Sequence, residues 1–552
     1  MRELELKFSL PLSLQDALAR EATPETVERV WSRYLDTPDG ALARGRTAVR
    51  VRRKGDTWLQ TVKADHGDHF ERFEWERPIA GPEPERDALP PEDTAPGALA
   101  HRTFGQWRPL FETDFERRAR VVEPAPGLAV EIAQDVGELR CGERREPIRE
   151  VELECLRGSR VAFFEWARDW ATRTQACLLL PTKNERGLRL AARLPLAPSP
   201  VTAAAVAPPA DAPVGEAAAA VLRASIGHAC ANIEPVLASD HPEGPHQLRV
   251  ALRRLRAALR FFALREADAR WGTVDDEARA LADAAGRVRD LDVFESGALA
   301  LLRERFPGDA AVETLSRAVV DARDAARMDL RRAVSGPATT RFVLGALALA
   351  EGLAAAAGDA PEGASHDAAH GAPSDLPTEA LDDASLALPL PLRAPYAAFA
   401  RARVHALLVR VRRRARRARD DEGWHRTRLA VKTLRYAIES ARGALPHGAD
   451  AARASSLLAR WQDRLGAGQD LASARDVAAD ALSRPGVPTE AAVRALALID
   501  GWRAFAAPHD PETGRHARRT QRALRAALRD AAPAPARQDE RDDDGPGTPP
   551  TP

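Results

Sequence analysis

Strands that carry charge on every second residue constrain the first part of this chain more than any other feature. In Glu3-Leu4-Glu5-Leu6-Lys7-Phe8, side chains alternate across the strand. Glu3, Glu5 and Lys7 therefore share one face, and Leu4, Leu6 and Phe8 share the other. The pattern returns in Val49-Arg50-Val51-Arg52, in Val130-Glu131-Ile132 and in Glu150-Val151-Glu152-Leu153-Glu154. An ordinary half-buried sheet turns mixed polar residues to water. Faces this rich in both Glu and Arg are expected to line the lumen of a closed barrel, where they suit an anion held together with metal.

The 552 residues, 44% of them apolar, are ample for more than one core. Formal net charge is zero, so bulk attraction to nucleic acid is not expected and any anion must be bound by local patches. Cys141, Cys155, Cys177 and Cys230 have no metal-ligand spacing and are expected to be free thiols in a reducing compartment. No apolar run approaches a membrane span and the chain opens on a charged strand, so no membrane partner and a cytoplasmic location are expected.

Composition divides the chain. Residues 1–195 read as strands with turns, and 196–215 as an Ala/Pro-rich, semi-extended linker. Amphipathic Ala/Leu/Arg-rich helices fill 216–530, interrupted by a flexible loop at about 358–395. Residues 531–552 are expected to be a disordered tail. The fold class is thus α+β multidomain: a β-barrel with flanking helices, then an all-α bundle. Cutting near Gly215 is expected to leave catalysis in the N-terminal fragment and polyanion binding in the C-terminal one.

The helical part repeats itself. His246-Gln-Leu-Arg249-Val-Ala-Leu-Arg253-Arg-Leu-Arg256 aligns with His425-Arg-Thr-Arg428-Leu-Ala-Val-Lys432-Thr-Leu-Arg435. Arg289-Asp290-Leu-Asp292 follows the first His at about the interval by which Gln469-Asp470 follows the second, so an internal duplication is the economical explanation. Positions i, i+3, i+7 and i+10 of a helix fall in a stripe of about 80°. Each copy therefore presents a cationic face whose self-repulsion a bound polyanion would relieve. The alternative is a solvated face neutralised by neighbouring acids. The basic run at 410–419 carries the same ambiguity.

In the first domain, Glu3, Glu5, Glu150, Glu152 and Glu154 suit a hard divalent cation such as Mg²⁺ or Mn²⁺. Glu131 faces the same way as Asp135 and is a candidate either for a further metal ligand or for orienting an attacking water. Lys7, Arg50, Arg52, Lys63, Arg117 and Lys183 are candidates for phosphate oxygens. Only five of the 81 basic residues are lysine, and Lys7, Lys63 and Lys183 fall in these motifs. An ammonium is a compact point charge that a guanidinium does not replace. Cross-strand ion pairs are the competing explanation for the same residues.

Glu-Leu-Glu-Leu-Lys at 3–7, Tyr34-Leu-Asp36-Thr37-Pro, Arg50-Val-Arg52, Thr61-Val-Lys63, Phe111-Glu-Thr113-Asp-Phe115-Glu-Arg117 and Pro147-Ile-Arg-Glu150-Val-Glu152-Leu-Glu154 resemble the CYTH family of triphosphate tunnel metalloenzymes. Pro181-Thr-Lys183-Asn-Glu-Arg186-Gly187 resembles that family's closing basic segment. The duplicated helices, with Leu465-Gly466-Ala-Gly-Gln-Asp470, resemble a CHAD domain, a helical module associated with polyphosphate binding. The resemblance implies an eight-stranded antiparallel tunnel in which basic residues hold a linear triphosphate and acidic residues hold metal. Its domain pair is similar to that of bacterial inorganic triphosphatases. Lys7 and Glu131 would then serve catalysis, and His246, Arg249, Arg253, Arg256, His425, Arg428, Lys432 and Arg435 would bind polyphosphate. Other triphosphates (thiamine triphosphate, or a nucleoside triphosphate, including cyclisation of ATP) and a catalytically silent polyphosphate binder are the alternatives.

Overall fold

Eight strands close into one antiparallel barrel: β1 (Arg2–Ser9), β2 (Thr26–Asp36), β3 (Thr47–Lys54), β4 (Thr57–Asp65), β5 (Glu71–Ile79), β6 (Arg108–Ala125), β7 (Leu128–Cys141) and β8 (Arg144–Arg157). They follow one another around the wall in the order β1-β5-β4-β3-β2-β6-β7-β8. This is a computed structural model, and it describes residues 2–21, 26–65, 70–192, 198–358, 391–445, 450–506 and 513–528. Lys7 lies opposite Glu152, and Glu154 lies opposite both Glu5 and Glu131, so the charged positions of neighbouring strands share the lumen. The apolar positions point outward and need cover. Helices α1 (Leu12–Glu21), α2 (Ala41–Arg44), α3 (Ala95–Thr103), α4 (Arg160–Thr174) and α5 (Lys183–Ala191) accompany the barrel. Leu6, Phe8, Val151 and Leu153 are buried in one cluster with Phe163, Phe164 and Trp170 of α4. The Phe8 and Trp170 rings meet edge to face at 5.2 Å.

Residues 198–209 lead without helix or strand into the helical part and are fastened to it, and a turn closed by the Ala212 N–H on the Pro209 carbonyl at 3.2 Å leads into the first helix there. Asn232, fully buried, accepts from the Val201 N–H at 3.0 Å and donates to its carbonyl at 2.9 Å. At Gly443 an added Cβ would lie 2.3 Å from the Pro208 carbonyl oxygen, so only glycine lets this strap pass. The helical part then comprises α6 (Val214–Ala238), α7 (Glu243–Phe261), α8 (Leu264–Ala267), α9 (Ala269–Phe294), α10 (Ala300–Arg305), α11 (Ala310–Val334), α12 (Pro337–Gly358), α13 (Tyr396–Arg417), α14 (Asp421–Ser440), α15 (Ala451–Leu482), α16 (Thr489–Ala506) and α17 (Thr513–Ala527). The two aligned motifs occupy α7 and α14, and Arg289, Asp290 and Asp292 lie on α9. Gln469 and Asp470 belong to α15, but their side chains, most of the predicted loop at 358–395 and the predicted tail lie outside the described residues. No disulfide joins the four cysteines.

Helix α12 is long and apolar enough to cross a membrane by length and composition. Its place explains that composition: it packs between α4 of the barrel part and α6 of the helical part. A helix covered on both sides reads as apolar all round. Phe342, Val343, Leu344 and Leu347 join the same hydrophobic cluster as Phe8 and Phe163, so one core runs through both parts.

Candidate functional site

The lumen encloses a cavity of about 1190 Å³. Glu3, Glu5 and Lys7 of β1, Arg50 and Arg52 of β3, Lys63 of β4, Arg117 of β6, Glu131 of β7, Glu152 and Glu154 of β8, and Lys183 of α5 all line it. Of the barrel candidates named from sequence, Glu150 alone is absent from this wall; it is fully buried behind Lys183. Lys183 enters because α5 closes one end of the barrel. A capping box fixes its first turn, with Thr182 Oγ1 accepting from the Glu185 N–H at 3.0 Å and Glu185 Oε2 accepting from the Thr182 N–H at 2.7 Å. Gly187 lets the helix lie on the Phe111 ring, where an added Cβ would come within 2.1 Å of it.

Two regions of the lumen differ in how their charges are met. At the α5 end, Asp135, Glu150 and Glu152 converge closely enough to hold a cation, and protein cations already do so. Lys183 Nζ lies 2.7 Å from Asp135 and 2.8 Å from Glu152 and also pairs with Glu150. Arg117 grips Asp135 with two bonds of 2.7 Å and reaches Glu152 as well. Burial opposes the Glu152 charge, but Lys183, Arg117 and Lys7 outweigh it and hold this carboxylate well below the usual range. The sequence-predicted metal ligands Glu150 and Glu152 are thus engaged in ion pairs.

Further along, Glu5, Glu154 and Glu131 stand side by side on β1, β8 and β7. Among the described residues no ion pair reaches Glu131 or Glu154, and Glu5 meets only Lys7, at 3.4 Å. Burial, with Glu5 and Glu131 beside it, pushes Glu154 up to about 7. Lys63 bridges Glu3 and Glu74 at 2.9 and 2.7 Å. Burial, only partly offset by Lys63, pushes Glu3 up to about 9, with neighbouring Glu74 and Glu5 adding to the rise.

Opposite these acids lie the arginines of β3. Arg50 donates to Tyr34 Oη at 3.3 Å and to Thr61 Oγ1 at 3.2 Å, with Glu74 at 3.7 Å. Arg52 has a 3.4 Å bond to Ser32 Oγ, and no carboxylate among the described residues lies within ion-pair distance. Burial, with Arg50 and Arg117 nearby, lowers it to about 10.

In the helical part the two cationic stripes face one another. Arg253 of α7 donates to Tyr436 Oη of α14 at 2.9 Å. Burial, then the charges of Arg253, Arg249, Arg428 and Arg260, lower Lys432 to about 7. The Nε atoms of Arg253, Arg428 and Arg435 are buried without a hydrogen-bond acceptor. Burial, with Arg289, Arg253 and Arg249 close by, also lowers His246 despite Glu243. His425 lies on α14 within the same motif. Three candidates already have carboxylate partners: Arg249 pairs with Asp290 at 2.9 Å, Arg256 with buried Asp275 at 2.8 Å, and Arg435 with Glu439 at 3.7 Å.

Residues 1–188 match the family model of the CYTH domain, and residues 220–479 match that of the CHAD domain. This chain is a CYTH domain followed by a CHAD domain. A curated relative from Haemophilus influenzae, named inorganic triphosphatase, is 25% identical over 206 residues, which are 35% of this chain and 56% of that protein. The chain therefore spans about half the length of that relative. Among solved structures, the CHAD domain of the plant Ricinus communis is 27% identical, covering 60% of this chain and 96% of that one at a TM-score of 0.44. PptA from Streptomyces chartreusis is 18% identical, covering 58% and 100% at a TM-score of 0.35. The CYTH tunnel also uses residues that the charge pattern alone did not single out: Glu74, Glu76 and Tyr34 line the cavity beside Arg50. Phe73-Glu74-Trp75-Glu76 carries the alternation that marks the other strands, so the signal is present in the sequence.

Proposed function

We propose that this chain is a cytoplasmic, divalent-metal-dependent inorganic triphosphatase whose CHAD domain binds polyphosphate. Arg52 carries the reading: a lumen cation beside two others, lacking a carboxylate partner among the described residues, is stabilised by an anion in the cavity. Lys7, Arg50, Arg52, Lys63, Arg117 and Lys183 would hold the phosphate oxygens. Water attacks the terminal phosphorus, the bond to the bridging oxygen breaks, and pyrophosphate leaves with the electron pair while orthophosphate forms. Glu131 would orient that water and accept its proton. The relative named inorganic triphosphatase supports this substrate over other triphosphates.

The residues present fit a hard cation. Glu5 and Glu154, with Glu131 alongside, offer carboxylate oxygens on adjacent strands, and Glu3 lies one position along β1 on the same face. Bound Mg²⁺ or Mn²⁺ would neutralise charge on the phosphate oxygens. Protons compete for these ligands, because Glu154 is pushed up to about 7 and Glu3 to about 9. At limiting metal, activity should therefore rise with pH across this interval, and saturating metal should shift the rise to lower pH. A flat profile at limiting metal counts against these ligands.

Orthophosphate release from tripolyphosphate, with and without Mg²⁺ or Mn²⁺ and with ATP and pyrophosphate in parallel, tests the reading. Fast metal-dependent release from tripolyphosphate supports it, and silence on this substrate ends it. In the CHAD domain a polyanion would draw a proton onto Lys432, which burial and the neighbouring arginines lower to about 7. Calorimetry of polyphosphate binding at pH about 8 should show proton uptake that Lys432→Met removes, with affinity falling as pH rises through this range. Uptake unchanged in the variant would place polyphosphate elsewhere.

A further inference from the structure

We propose that Thr340 of the CHAD domain is a positioning residue for the tunnel lysines Lys7 and Lys183, which makes α12 a working part of the CYTH site. The proposal rests on the triphosphatase reading.

Strand β1 is held unevenly. Its residues 5–9 pair with β8 on one side, whereas on the other side β5 pairs only with residues 2–4. Beyond Glu5, whose N–H donates to the Phe70 carbonyl at 3.3 Å, that edge would present unpaired backbone groups inside the protein. Residues 177–179 take it up: the Ser9 N–H donates to the Cys177 carbonyl at 2.9 Å, and the Leu179 N–H donates to the Lys7 carbonyl at 2.8 Å. Phe8 and Leu178 form the bridge between them. Along an extended segment successive N–H groups point to opposite sides, so the Leu178 N–H faces away from β1 and needs another acceptor. Thr340 Oγ1 accepts it at 2.8 Å, and Thr340 is 2% exposed.

The same segment continues into α5, whose first residue is Lys183. One stretch of backbone therefore supports Lys7 directly and leads into Lys183, and Thr340 sets its position from the other domain. Helix α12 is itself fixed against the barrel part. Glu351 on α12, 6% exposed, lies 3.2 Å from Arg160 of α4 and 3.2 Å from Arg223 of α6. Arg160 also lies 3.4 Å from Glu71 of β5. The CHAD domain also lines the cavity itself, through Glu234 of α6, which pairs with Arg189 of α5 at 3.1 Å.

The test compares Thr340→Val, which keeps shape and removes the acceptor, with Thr340→Ser, which keeps the acceptor, both in the full chain. Steady-state hydrolysis of tripolyphosphate with saturating Mg²⁺ or Mn²⁺ should show Thr340→Val reduced about tenfold in kcat/KM, mostly through KM, because small displacements of binding groups are expensive. Thr340→Ser should stay within about twofold of wild type, since the acceptor oxygen remains. Unchanged kcat/KM in Thr340→Val overturns the proposal. So does an equal loss in Thr340→Ser, or a fall in kcat at constant KM that matches the fraction of protein folded by circular dichroism. A wild-type chain inactive on tripolyphosphate defeats the triphosphatase reading itself, and this proposal with it. An active wild type with an indifferent Thr340→Val defeats this proposal alone.

Discussion

Arg52→Ala should lower kcat/KM for tripolyphosphate by about a hundredfold or more, the range seen when one preorganised donor to a developing anion is removed. It should do so without lowering the melting temperature. Arg52 contributes repulsion to the empty tunnel, with Arg50 and Arg117 close by and Ser32 as its hydrogen-bond partner. Its removal relieves that repulsion, so the unliganded variant should melt at the same temperature as wild type or higher. Arg117→Ala should behave oppositely. Arg117 makes two 2.7 Å bonds to fully buried Asp135 and also pairs with Glu152. Stripping that partner should destabilise the fold by about 3 kcal/mol, because buried carboxylates would remain undercompensated. Thermal unfolding of both variants beside their kinetics checks the pair. A destabilised Arg52→Ala would show that Arg52 is structural, and one of normal activity would show that Arg52 does not hold the substrate.

The alternation in β1, β3, β7 and β8 makes the lumen face legible from the order of residues alone, because a period of two assigns every side chain to one wall. The duplicated helices are legible for a similar reason, since repeated spacing survives without knowledge of contacts. Which charges meet which is hidden. Whether Glu152 faces a metal or Lys183 depends on a helix that begins 31 residues further along and folds back into the barrel end. Whether Glu3 shares Lys63 with Glu74 depends on β1 closing against β5, a contact fixed by the whole barrel rather than by either strand. Arg256 matches the stripe as well as Arg253 does, yet a buried Asp275 on another helix claims it. Charge pattern locates the sites, and long-range packing decides which members remain available.

A helical domain that separates cleanly from the barrel is the expectation from composition, and the shared core predicts otherwise. A fragment ending near residue 213 would lose α12, whose buried Phe342, Val343, Leu344 and Leu347 belong to the same cluster as the outer face of β1 and α4. Each large apolar side chain left without cover forfeits about 1.5–3 kcal/mol, and small domains hold only about 5–15 kcal/mol in all. Loss of Glu351 also removes the carboxylate 3.2 Å from Arg160, and loss of Thr340 removes the acceptor for the Leu178 N–H. The fragment should bind a hydrophobic dye, associate at micromolar concentration, and hydrolyse tripolyphosphate at least about tenfold less efficiently than the full chain. Gel filtration, dye fluorescence and kinetics on the same preparation decide the matter. A monomeric fragment with the full chain's melting temperature and kcat/KM would show that the barrel carries its own core, and that α12 is a passenger on it.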